Sequence, residues 1–162
     1  MAVKRVFQKS KGDRTTFYAF SAWDDAIDYA AIPEGAEPGS LGDKLHAGET
    51  DGIPIKPECE LIRFTLRPLT IDEIVWAEDQ ALANMTEGES QANSDHRFGL
   101  MKSLYAFRAA CVRAEHVFEV GDVFDEKTLP DLFAGLPVNI QREMGRVALK
   151  RSTLSDADKK KS

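Results

Sequence analysis

No stretch of this 162-residue chain is apolar for the roughly 20 residues that a bilayer span requires. The first residues, Met1-Ala2-Val3-Lys4-Arg5-Val6-Phe7, carry charge but no apolar segment of signal-peptide type. Neither a membrane partner nor a secretory leader is therefore expected. Cysteine is scarce, with only Cys59 and Cys111, and their separation fits no metal or redox motif. Without an export signal both are expected to be reduced thiols. The three histidines, His46, His96 and His116, form no i, i+4 pair with a histidine, cysteine or carboxylate, as a helical zinc site would require. The sequence holds no G-x-S-x-G, no P-loop and no glycine-rich dinucleotide turn. Gly39-Ser40-Leu41-Gly42 lies in an acidic stretch, the wrong electrostatics for a phosphate. Asp24, Asp25 and Asp28 lack the alternating ligands, turn glycine and distal glutamate of a calcium loop. No catalytic residue, cofactor or metal site is expected, and internal repeats are absent.

What is present is an ordinary globular composition, 43% apolar and 30% charged, long enough for a core without staples. The net charge of −6 is unevenly spread. Residues 1–14 are basic. Residues 24–51 carry eight carboxylates against Lys44, and residues 72–95 carry seven with no Lys or Arg. Residues 141–162 are basic again, with seven cations against three anions. Overall acidity argues against nucleic acid as a partner, because phosphate binding needs a concentrated positive face. Such blocks serve as solvated faces or recognise charged partners, including neighbouring copies of the chain.

Period-2 and period-3.6 patterns give the expected elements. Thr15–Phe20 predicts a strand, and Val3–Phe7 a weaker one. Ser21 is placed to cap a short helix over 22–31 with Trp23, Ile27 and Ala30 or Ala31 on one face. The Pro- and Gly-dense segment 33–57 predicts a long loop. Glu60–Arg67 is the clearest strand, with Ile62, Phe64 and Leu66 inward and Arg63, Thr65 and Arg67 outward. Thr70-Ile71-Asp72-Glu73 is a capping box. It opens a helix with Ile71, Ile74, Val75, Leu82 and Met85 along the core stripe, ending near Gly88. A longer helix follows with Phe98, Met101, Leu104, Tyr105, Cys111 and Val112 at helical spacing. His116–Val120 predicts a short strand or an extended connector before Gly121. Thr128 caps a turn carrying Leu129, Leu132 and Phe133, closed by Gly135. Pro137 opens a last helix with Val138, Met144, Val147 and Ala148 on its apolar side, and Lys159-Lys160-Lys161 is a basic tail. The expected fold is α+β. A small antiparallel sheet from residues 1–67 packs on a three-to-four-helix part over 68–154 in one folded unit, with 155–162 as the tail.

From Phe64-Thr65-Leu66-Arg67-Pro68-Leu69-Thr70 onward, the layout resembles the tail assembly chaperones of long-tailed bacteriophages. The features that carry the resemblance are the acidic helix beginning Ile71-Asp72-Glu73, the longer second helix, and Leu129-Pro130-Asp131-Leu132-Phe133-Ala134-Gly135-Leu136-Pro137 leading into a terminal helix that finishes Lys150-Arg151-Ser152-Thr153-Leu154-Ser155. The resemblance covers residues 60–162, and residues 1–57 depart from it. It implies a non-catalytic protein of virion morphogenesis in the host cytoplasm. Such a protein binds the tape-measure protein, keeps it dispersed and helps recruit tail-tube subunits. Family members are often made in two lengths by frameshifting, and the A-rich codons of Lys159–Lys161 allow such a slip. Glu78 and Asp79 are the candidate residues at the rim of the partner-binding surface. The alternatives are a structural virion protein, such as a connector or minor tail component, and an enzyme whose catalytic groups are distant in sequence.

Overall fold

The computed structural model describes residues 15–32 and 38–161, with backbone alone over 38–40 and 153–161. The strand expected at Val3–Phe7 lies outside the described residues. The fold is α+β, as expected. Its sheet has four strands in the order β1 (Phe17–Ala19), β2 (Arg63–Leu66), β3 (Cys111–Glu115) and β4 (Val123–Phe124), each antiparallel to its neighbour. Two of these strands come from the second half of the chain, beyond the segment expected to supply the sheet. Helices α1 (Pro38–His46), α2 (Ile71–Ala83), α3 (Gln91–Ala110), α4 (Leu129–Gly135) and α5 (Val138–Lys161) complete the fold.

β2 has the predicted register. Ile62, Phe64 and Leu66 are buried, while Arg63 and Arg67 sit at the margin in ion pairs with Glu115 and Glu73. Phe64 and Leu66 meet Phe107 of α3, Leu132 of α4, and Ile140, Met144 and Val147 of α5. The Phe64 and Phe107 rings pack edge to face at 5.6 Å, a favoured arrangement of ring quadrupoles. The wet face carries Glu115, which receives Arg63 Nε at 2.6 Å and Arg113 Nη2 at 3.1 Å. Desolvation raises its pKa, but the two guanidinium groups more than offset that and hold it below the usual carboxylate range.

Several helix boundaries differ from the expectation. α3 stops at Ala110, so Cys111 and Val112 lie on β3 and not on the helical stripe. Cys111 is buried, and desolvation pushes its thiol up to about 12. Of the two forms expected for His116–Val120, strand or connector, the segment takes the second, as the turn joining β3 to β4. There the Asp122 carboxylate accepts the amides of Val117, Phe118 and Glu119 at 2.7, 3.0 and 3.1 Å. α2 ends at Ala83, before Gly88. Thr128 occupies the N-cap position of α4 without a side-chain cap, because its hydroxyl accepts the Asp125 amide instead. α5 runs unbroken to Lys161, through the stretch expected as a basic tail.

The segment 20–57 differs most. No α-helix forms over 22–31. The chain makes turns and a 3₁₀ helix at Tyr29–Ala31, and Trp23 is exposed. The Ser21 hydroxyl is drawn away to Glu143, although its oxygen also accepts the Trp23 amide. Within the predicted loop lies α1. Leu41 and Leu45, one helical turn apart, pack into a second small core with Phe20, Ile27, Leu61 and Ile53. Gly48 then ends the helix at φ +83°, where a Cβ would lie 2.8 Å from the Tyr18 carbonyl oxygen. Ile27 bridges Ile55, and the amides of Asp28 and Lys56 bond Pro54 and Ala26. The described residues of this stretch are consequently tied to the body.

Asp24 holds the second core to the sheet. Its carboxylate, buried to 4% exposure, accepts the Ala26 amide at 2.9 Å and the Ile62 amide at 2.7 Å. Burial raises its pKa, and the two amides only partly counter that. The raised value means this group's contribution is greatest below the ordinary carboxyl range and declines as pH rises through the native pKa. Even so, Asp24→Ala is expected to cost about 2–4 kcal/mol at neutral pH, because it strands two buried amides. Urea denaturation checks this. A loss under 1 kcal/mol would mean water replaces the carboxylate without penalty.

Candidate functional surfaces

α2 turns its small residues inward. Thr70 caps it as predicted, with its hydroxyl on the Glu73 amide at 3.2 Å and Glu73 Oε1 on the Thr70 amide at 2.9 Å. The buried positions are Ala77 and Ala81, with Ile74 beside them. Ala77 belongs to one buried cluster with Ala106 and Ala110 of α3 and Ala148 of α5, small side chains that let helix backbones approach closely. The expected core stripe is therefore displaced around the helix. Ile71 is 72% exposed, Val75 47% and Leu82 59%, and Met85 lies beyond the helix end.

Positions 71, 75, 78 and 82 fall within about 60° of helix circumference, so Ile71, Val75 and Leu82 form one outward stripe interrupted by Glu78. Trp76, also exposed, covers the other flank and packs edge to face on Tyr105 at 5.6 Å. Of the thirteen exposed large hydrophobics among the described residues, these four share one helix, which makes it a candidate contact surface. The two residues expected at its rim differ in setting. Asp79 is exposed, and no ion pair to it is found among the described residues. Glu78 leans toward α3 and approaches Lys102 Nζ at 4.0 Å. Asp72 is a further exposed carboxylate beside Trp76, at the edge of a shallow cleft with Glu73 and Ala109.

No family model, curated protein or solved structure matches this chain. Among the described residues no group of three or more His, Cys, Asp or Glu side chains could hold a metal ion. No described helix is long and apolar enough to cross a membrane.

A second surface escaped sequence reasoning. α5, the 21–24 turn and α1 enclose an open cleft of about 500 Å³ lined by Trp23, His46, Arg142, Glu143, Arg146 and Lys150, among others. Glu143 stitches its walls together. One oxygen takes the Ser21 hydroxyl, and the other takes the Ala22 amide at 2.8 Å and faces His46 Nε2 at 2.7 Å. The cations of the wall make no ion pair with any described residue. Their signal was in the sequence as Arg, Arg and Lys at i, i+4 and i+8, masked by treating the basic C-terminal segment as one block.

Proposed function

We propose that this chain is a non-catalytic assembly chaperone of a long-tailed bacteriophage. In the host cytoplasm it binds the tape-measure protein and helps recruit tail-tube subunits. The observation that supports this reading best is the outward stripe Ile71, Val75 and Leu82 on a capped helix, with Asp79, Glu78 and Asp72 around it. An amphipathic helix can lay its apolar face on such a stripe, and a tape-measure protein offers a long succession of them. The surrounding carboxylates keep the free chaperone dispersed and select partners with basic flanks.

Co-expression with the tape-measure protein of the same phage is expected to raise that protein's soluble yield. Val75→Asp with Leu82→Asp should abolish the effect without unfolding the chain, since both side chains are already exposed. Reversal of Glu78 and Asp79 to lysine should slow association several-fold while changing dissociation little, as peripheral charges act on encounter. If the tape measure is not captured and mature virions contain this chain in stoichiometric amount, the protein is a structural virion component, a connector or minor tail protein.

A further inference from the structure

We propose that the cleft between α5, α1 and the 21–24 turn is a second docking site, and that its occupant is an extended acidic segment of a partner protein. This does not rest on the reading of the α2 stripe, and none of the residues is shared.

The cleft is positive against the trend of the molecule. Arg142, Arg146 and Lys150 line one wall, and the cleft continues past Lys150 to Arg151, where Asp43 of α1 also lines it. Three cations on one helix face repel one another, an arrangement relieved by a ligand of opposite sign. The one carboxylate on that wall, Glu143, is committed to Ser21, Ala22 and His46 and cannot swing to neutralise them. Arg142 Nε is sealed from solvent and has no acceptor among the described residues, one unsatisfied donor on this wall. Trp23 stands at the cleft, 64% exposed, with its indole unpaired with any described ring. Cations beside an apolar aromatic ring suit a ligand that alternates carboxylates with apolar side chains.

Spacing favours an extended peptide. Successive cations at i, i+4 and i+8 rise about 6 Å along α5. Carboxylates on alternate residues of an extended chain repeat at about 6.6 Å, so three can meet three cations in register. The intervening apolar side chains then point the opposite way, toward the wall that carries Trp23. A nucleic acid is the poorer fit. A chain of net charge −6 repels a long polyanion, whereas a segment with a few carboxylates feels chiefly the local cations.

The test uses Trp23 as its reporter. Trp76→Phe leaves it the sole tryptophan of the chain. The probe is a seven-residue peptide with glutamate at alternate positions and leucine between them. Its titration is expected to change Trp23 emission saturably and to weaken as salt is raised. Arg146→Glu with Lys150→Glu should weaken binding at least about tenfold, since both oppose the ligand directly. The milder Arg146→Gln with Lys150→Gln should weaken it less, and Lys127→Glu should leave it unchanged. Circular dichroism confirms that each variant stays folded. The proposal is overturned if the peptide produces no saturable change. It is also overturned if the charge-reversed double variant binds as tightly as the parent. Tighter binding of inorganic phosphate, ATP, an oligo-dT strand or an anionic vesicle to the same cleft would overturn it too, by assigning the site to a different anion.

Discussion

Replacing Gly145 by alanine is expected to disrupt the fold more than any other single methyl addition among the described glycines. α3 and α5 cross where Gly145 lies against the Ser103 backbone. A Cβ built on Gly145 falls on the Ser103 carbonyl, with the carbonyl carbon at 2.6 Å and Ser103 Cα at 3.1 Å. The obstacle is helix backbone, so no side-chain rotation relieves it. The helices must separate, which would loosen the core that holds Phe107 with Met144 and the one that holds Ala106 with Ala148. Overpacking ordinarily costs 1–3 kcal/mol, and a backbone clash of this depth should reach at least about 3 kcal/mol. Gly99 is the internal control. It lies in α3 with nothing within 4 Å of its notional Cβ, so Gly99→Ala should stabilise by about 0.5–1 kcal/mol through helix propensity. Urea denaturation of both variants measures the contrast. Equal midpoints would show that the α3–α5 crossing relaxes freely.

Phe64→Ala should destabilise by about 3–5 kcal/mol, the usual cost of removing a core aromatic. Phe64 is fully buried at the centre of β2, facing Phe107, which in turn meets Phe133 at 5.5 Å. Truncation leaves a cavity bounded by the sheet, α3 and α5, and none of these elements can collapse inward without breaking the ladder on either side of β2. By contrast, Thr65→Ala on the opposite face should cost less than about 1 kcal/mol. The two substitutions together test the register, since an inverted strand would reverse their order of severity.

The register was legible because strand alternation is a local property: residues 62, 64 and 66 must share a face whatever packs on it. The Thr70 capping box was legible for the same reason, its two hydrogen bonds closing within four residues. α1 had local signals as well. Pro38 stands in its first turn, Leu41 and Leu45 lie one turn apart, and Gly48 is at the stop. Proline and glycine density concealed them, because composition was weighed over 25 residues and position was not. The helix expected over 22–31 failed for a non-local reason. Ser21, the supposed cap, is bonded to Glu143, a residue 122 positions away.

The candidate surfaces divide in the same way. Glu78 and Asp79 are on an acidic helix by sequence alone, and so are the cations at 142, 146 and 150 by their period. Which face of α2 is buried was decided by tertiary structure. Hydrophobicity favoured placing Ile71, Val75 and Leu82 in the core. The neighbouring helices offer Ala106, Ala110 and Ala148 there, and α2 turns Ala77 to that side. The larger apolar side chains were thereby left outside. The cationic cleft likewise exists only because Glu143 binds the 21–22 turn and His46 to α5. The chain's own residues determined local conformation, where neighbours within a turn or a strand settle the energy. Packing partners far apart in sequence determined which faces remained exposed, because close approach depends on both surfaces at once.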